Sequence, residues 1–407
     1  MSPQAVTARK RASHWLKQAW YRCTQLDGTV DTALHGGAPV GWRRLARERW
    51  LYHLFPERRM RDSPFEAAAG PPSGRARILT LVPPEDTGGG SRPAQLAAEL
   101  HRRGFAIEWR WALPIFPWPR TSRPAIDRVD ARHVDDPAGP PTEADLVLLE
   151  APHPRLFDLA RSGTRSGSLV YEAIDVWDGS LGAGWYDRDV EERIHGEADV
   201  LTASAGLLRD ELAARSERPV HLLPNAVDLA RFVPRGLAAP LARGRPTVIY
   251  VGALWGEWVD LRLIERLARA HPEAQIHLVG PVGDRSLASS ANLHVHGPKP
   301  RSEIPDLLAS ADVGIVPFAP SRLSTAVSPL KVFEYLAMGR PVVSTPLPEL
   351  RGVPGVTVAD DADAFVEAVA RVPSEPFPHD AVRAFLEGQT WTRRVDQLFE
   401  LTRPARG

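Results

Sequence analysis

The polarity pattern changes character near residue 76. From there, short uninterrupted apolar runs recur. Each is followed by a turn and then by a segment whose apolar positions repeat every three or four residues. Residues 78–82, 105–111, 146–149, 168–174, 200–203 and 220–223 read as strands. Continuous rather than alternating apolar positions predict parallel strands covered on both faces. Residues 92–103 predict a helix, with Leu96, Ala97 and Leu100 on its apolar side and Gly104 as its C-terminal stop. A second series starts near Thr247, with strands over 248–251, 276–279, 293–295, 313–316, 341–344 and 356–358. Its helices are predicted over 261–270, 304–310 and 328–338, with a helical tail over 379–401. Strands alternating with helices, twice over, predict an α/β chain of two Rossmann-like, doubly wound domains. The carboxyl ends of two such sheets face a shared cleft, where open α/β sheets bind ligands.

This pattern divides the chain into an N-terminal extension over 1–75, a first domain over 76–235 and a second over 236–376. Residues 377–407 are read as a helix that returns to the first domain. The Pro-, Gly- and Ala-rich stretch 234–245 reads as the hinge. The extension stands apart in charge, with 13 basic and 6 acidic residues, and it carries Trp15, Trp20, Trp42 and Trp50. Residues 12–26 and 41–55 read as basic amphipathic helices. They suit either an anionic membrane surface or packing against the body.

Over all 407 residues, 50 basic and 50 acidic groups balance, which argues against a nucleic-acid partner. One cysteine, Cys23, leaves no disulfide framework or Cys-rich zinc site. Apolar runs reach neither a membrane span nor a secretory leader. The expectation is a cytoplasmic protein, with the extension offering peripheral attachment to the inner face of the membrane.

Only four of the 50 basic residues are lysines: Lys10, Lys17, Lys299 and Lys331. Lys331 falls in the segment Ser328-Pro329-Leu330-Lys331-Val332-Phe333-Glu334. Ser328 suits a helix N-cap and Pro329 the first helical position. A cation in the first turn opposes the helix dipole, and an anionic ligand such as phosphate resolves the conflict. Glu334 lies one turn on, placed either to accept hydroxyl hydrogen bonds from a diol or to pair with Lys331.

Residues 328–343, continued by Ser344-Thr345-Pro346-Leu347-Pro348-Glu349, resemble the donor-binding segment of GT-B glycosyltransferases of the "glycosyl transferases group 1" kind. The likeness is greatest to the branch that assembles teichuronic-acid and xanthan-type polysaccharides. Gly88-Gly89-Gly90-Ser91-Arg92-Pro93 resembles that family's N-domain glycine loop, and Leu223-Pro224-Asn225-Ala226-Val227-Asp228 its interdomain motif.

The resemblance covers roughly 77–400. It implies a GT-B fold and transfer of a sugar from a nucleotide-diphospho-sugar, a UDP-sugar first, in polysaccharide or glycoconjugate synthesis. The acceptor would be a glycan, a lipid-linked sugar or a small molecule. Gly89, Gly90, Gly252, Ser328, Lys331 and Glu334 would bind the donor, with Lys331 on the diphosphate and Glu334 on the ribose. Many relatives carry a glutamate eight residues before the second one. Here that position is Ala326, which favours the branch that lacks it, some of whose members invert.

An inverting transfer needs a base for the acceptor hydroxyl. Asp175 and then Asp178, just past the strand over 168–174, are the candidates, with Glu150 and His153 as further cleft groups. Tyr171, Trp177, Trp185 and Tyr186 suit an acceptor site or the core equally. No metal is implied, because the histidines lack ligand spacing, and no cofactor beyond the substrate is expected. Two alternatives stand beside transfer. One is an epimerase or hydrolase on the same fold, and the other a nucleotide-sugar-binding scaffold without turnover.

Overall fold

The computed structural model describes residues 65–66, 70–84, 90–112, 128–134, 143–162, 167–254, 258–281, 287 and 290–403. The helices expected over 12–26 and 41–55 lie outside these residues, as does Gly89.

The first domain contains strands β1 (Gly74–Thr80), β2 (Phe105–Trp111), β3 (Val129–His133), β4 (Leu146–Leu149), β5 (Ser168–Ala173), β6 (Val200–Ala203) and β7 (Val220–Leu222). All are parallel, in the order β3-β2-β1-β4-β5-β6-β7. Its helices are α1 (Arg92–Arg102), α2 (Pro154–Arg161), α3 (Arg188–Glu197) and α4 (Gly206–Ala213).

The second domain contains β8 (Thr247–Val251), β9 (Gln275–Val279), β10 (Leu293–Gly297), β11 (Val313–Val316), β12 (Val342–Ser344) and β13 (Val356–Val358). These are also parallel, in the order β10-β9-β8-β11-β12-β13. Helices α5 (Leu261–Ala270), α6 (Ile304–Ala309), α7 (Arg322–Thr325), α8 (Leu330–Ala337), α9 (Ala362–Arg371), α10 (His379–Glu387) and α11 (Trp391–Leu401) follow. The winding reverses between β1 and β4 in one sheet and between β8 and β11 in the other. Those two reversals open the crevices where ligands of such sheets sit.

The core follows from the unbroken apolar runs. Ile78, Leu146, Leu148 and Val170 face one side of the first sheet, and Leu79, Val147, Leu149 and Tyr171 the other; all are buried. Burying each such side chain contributes about 1.5–3 kcal/mol. Strand β3 carries the sequence Val-Asp-Ala-Arg-His and lacks an apolar run, so hydrophobic periodicity does not reveal it. It pairs at the sheet edge.

The helical tail divides. Helix α10 stays on the second domain, where Val382 and Leu386 enter the core and the Phe385 ring stacks on Phe333 at 6.2 Å. Helix α11 crosses to the first domain and buries Trp391, Val395 and Leu398 with Leu96 and Leu100 of α1. Thr390 caps α11 by accepting from the Arg393 amide at 3.3 Å. The break between the helices falls at 388–390, beside the outgoing chain, where the Val227 amide donates to the Gln389 carbonyl at 3.0 Å.

The stretch expected to be a hinge is held at its start. The Asp306 carboxylate, on α6, accepts the amides of Arg235, Gly236, Leu237 and Ala238 at 2.5–3.1 Å. Burial pushes this carboxyl upward, but the four amides hold it below its ordinary range.

Trp391 is 1% exposed, so Trp391→Ala removes a large core side chain from the contact between α11 and α1. We expect a loss of about 3–5 kcal/mol, read by chemical denaturation.

Candidate active site

At the reversal of the second sheet, the chain leaves β8 through Gly252 (φ +148°) and β9 through Gly280 (φ +145°). Both angles lie where side chains other than hydrogen are strained. Space is short as well. A Cβ on Gly280 would come within 1.9 Å of the Gly252 carbonyl oxygen, and one on Gly252 within 2.6 Å of Lys331 Nζ.

Lys331, in the first turn of α8, reaches across this loop. Its Nζ donates to Tyr250 Oη at 2.9 Å and lies 4.1 Å from the centroid of that ring and 4.9 Å from the centroid of Phe318. Burial against the rings lowers Lys331 to about 7, and the Glu334 carboxylate pulls the other way. The lysine is therefore anchored on the glycine loop rather than paired along its own helix. Glu334 is buried and receives Arg301 Nη2 at 2.5 Å, so its ion-pair partner comes from the turn after β10.

The start of α8 differs from the sequence expectation. Pro329 occupies the cap position, the helix begins at Leu330, and no side chain caps it. Ser328 is drawn away by the interdomain segment. Its hydroxyl accepts from the Asn225 amide at 3.3 Å, and its carbonyl accepts from Asn225 Nδ2 at 2.6 Å.

On the first domain, Thr80 at the end of β1 and Glu150 just past β4 flank the other reversal, and Thr80 Oγ1 donates to Glu150 Oε2. Burial raises Glu150 to about 8; Glu172 and Asp175 act in the same direction, while Thr80 and Arg92 oppose it. Asp175 follows β5, and burial raises it to about 7. Glu172 is neutralised by Arg92, whose Nη2 lies 2.8 Å from its Oε1. Gly90 is buried just before α1.

Other candidates are committed elsewhere. Asp178 is exposed and binds Arg322 Nη1 at 2.8 Å, while the other end of that guanidinium holds Glu211 of α4 at 2.6 Å. Asp178 therefore ties the two domains together. Tyr171, Trp177 and Trp185 are buried in the first core, and Tyr186 Oη donates to Glu191 at 2.8 Å. These aromatics serve packing. His153 Nδ1 accepts from the Arg155 amide at 3.2 Å and so caps α2. Among the described residues no group of three His, Cys, Asp or Glu is arranged to hold a metal ion.

Tyr250, Arg301 and Thr80 escape the sequence reading, and Arg92 figures there only within the glycine-loop segment. Tyr250 sits inside an apolar strand and reads as core. Arg92 and Arg301 disappear among 46 arginines. Phe318 carries a signal in its place two residues past β11, the strand that feeds the crevice.

Residues 245–374 match the family described as glycosyl transferases group 1. The match is confined to the second domain. The "Putative teichuronic acid biosynthesis glycosyltransferase TuaH" of Bacillus subtilis (strain 168) is 30% identical over 215 residues, covering 47% of this chain. The match spans 54% of that relative, about half its length.

Two solved structures share the two-domain GT-B fold. One is the trehalose 6-phosphate synthase of Burkholderia multivorans, with a TM-score of 0.58 and 12% identity, over 81% of this chain and 98% of that one. The other is Anabaena HepE in complex with UDP and glucose, with a TM-score of 0.54 and 13% identity, over 81% and 100%. The Gly252 loop, Lys331, Glu334 and Arg301 all fall within the matched residues.

Gly252→Ala is expected to destabilise the protein by about 1–3 kcal/mol through backbone strain plus displacement of the lysine. Gly184→Ala, also at positive φ but with nothing within 4 Å of the added atom, is expected to cost less. Thermal melting of both variants checks the order.

Proposed function

We propose that this chain moves a sugar from a nucleoside-diphospho-sugar to an acceptor hydroxyl. The observation that carries the reading is the Lys331 ammonium set on the glycine loop at the reversal of a group 1 sheet. The donor diphosphate would lie across Gly252 and the uncapped first turn of α8, with Glu334, held in place by Arg301, taking the ribose hydroxyls.

As the bond between the anomeric carbon and the diphosphate oxygen breaks, negative charge grows on the leaving group. A pre-placed cation and helix amides stabilise it by a few kcal/mol. On the facing domain Asp175 takes the acceptor proton, and the freed oxygen attacks the anomeric carbon from the opposite side. The configuration therefore inverts. Ala326, in place of a carboxylate beside the sugar, supports this course.

The acceptor is read as a growing envelope glycan or its lipid-linked precursor, a reading supported by the TuaH likeness and by the basic, Trp-rich residues 1–75. That segment would hold the protein at an anionic membrane surface. No helix among the described residues is long and apolar enough to cross a membrane.

Lys331→Ala is expected to lower kcat/KM about 10²–10³-fold, and Asp175→Asn to lower kcat about 10²–10⁴-fold, in a radiolabelled UDP-sugar transfer assay. Retention at the anomeric carbon, seen by NMR of the product, would remove Asp175 from the role of base.

The pH dependence follows from the same two groups. Asp175 must be ionised, so activity rises as pH climbs through about 7. Lys331 must be protonated, so activity falls as pH climbs through about 7. A narrow bell in kcat/KM centred near neutrality is expected, and a flat profile from pH 5.5 to 8.5 contradicts the assignment.

A further inference from the structure

We propose that Tyr250 is the positioning residue of the donor site, fixing both the place and the proton state of Lys331. This rests on the donor-site reading above. Tyr250 is buried, and its Oη makes two contacts, each of 2.9 Å: one to the Ala253 carbonyl and one to Lys331 Nζ. A carbonyl can only accept, so the single phenolic proton belongs to Ala253. The oxygen is left to the lysine as an acceptor. Nζ also lies over the Tyr250 ring at 4.1 Å and the Phe318 ring at 4.9 Å, close enough for both faces to attract a cation. A charged donor makes the stronger hydrogen bond, and a neutral amine has little to gain from a ring face. Both contacts with Tyr250 therefore favour the ammonium, against a burial that favours the amine.

The groups around Nζ leave few other ways to hold the charge. On the helix side stands Glu334, whose carboxylate is shared with Arg301 at 2.5 Å. Tyr335, next along α8 from Glu334, spends its Oη accepting the Val251 amide of β8 at 2.7 Å. Tyr250 is thus the group that meets the ammonium directly. The same phenol ties down Ala253, so the loop that cradles the lysine and the lysine itself are registered by one side chain. The absence of a Cβ at Gly252 makes this registration possible, because an added atom there would fall 2.6 Å from Nζ and 3.0 Å from Oη.

The test is Tyr250→Phe in the full chain, which keeps the ring and removes the oxygen. The proton state of Lys331 is read from the pH dependence of its acylation by acetic anhydride. Peptide mass spectrometry resolves it against Lys10, Lys17 and Lys299, the remaining lysines. The wild-type midpoint is expected near 7, and the variant midpoint about one unit lower. UDP binding by calorimetry gives the second readout. Relative to wild type, the variant should bind about tenfold more weakly at pH 8 and almost equally at pH 5.5, where both lysines are protonated.

A purely structural defect would weaken binding equally at both pH values, and that result overturns the proposal. An unchanged acylation midpoint overturns it whatever binds. A shifted midpoint in a protein that binds neither UDP nor GDP supports the role of Tyr250 and overturns the donor-site reading alone. Lys331→Arg serves as a second background. Arginine stays charged across this range, so adding Tyr250→Phe to it should leave no pH-dependent loss of UDP binding; persistence of that loss overturns the proposal.

Discussion

The joint between the two sheets depends on guanidinium groups that satisfy a chain passing from one domain to the other. Residues 224–225 leave the first sheet with carbonyls that accept from guanidinium groups rather than from a neighbouring strand. Arg394 Nε donates to the Pro224 carbonyl at 2.8 Å, and Arg92 Nη1 reaches the same oxygen at 3.1 Å and Asn225 Oδ1 at 3.2 Å. Placing two buried cations together is costly. Burial and the neighbouring Arg92 lower Arg394 to about 10, and Glu172 offsets the charge of Arg92 at 2.8 Å. Breaking such a buried pair by removing one member typically costs about 3–5 kcal/mol. Asn225, oriented by these contacts, binds Ser328, three residues from Lys331. Hydrogen bonds therefore run from Glu172 of the first domain through Arg92 and Asn225 to Ser328, at the mouth of α8 in the second.

The two faces of the cleft are tuned by the same physical cause acting on opposite charges. Removal from water raises the carboxyls of Asp175 and Glu150 and lowers the amine of Lys331. Each group is thereby brought to the edge of its charged state near neutrality. Counter-charges are spent just outside this set, where Arg92 takes Glu172 and Arg301 takes Glu334. Among the described residues, Asp175, Glu150 and Lys331 have no ion-pair partner of that kind.

Much of this was legible in the residues because parallel strands buried on both faces leave unbroken apolar runs. Phe105–Trp111 appears in the structure with the bounds that its run predicts. The positions of Lys331 and Gly252 were likewise marked, one by its rarity and the other by its place at a strand end. What escaped depends on neighbours distant in sequence. Ser328 looks like a cap until Asn225, 103 residues away, takes its hydroxyl. Asp178 looks like a base until Arg322, 144 residues away, takes its carboxylate. Strand β3 escaped because an edge position does not require an apolar sequence.

The chain passes between the domains twice, once outward near Val227 and once back near Thr390, and the two passages are bonded side by side. A single tether permits swivelling about its own axis. Two passages joined side by side behave like the leaves of a book at the spine: they bend together and resist twisting. Because the Asp306 cradle immobilises the outgoing chain from Arg235 onward, the spine is short. Widening the cleft about this spine would have to part Arg322 from Asp178, the ion pair that spans the two domains.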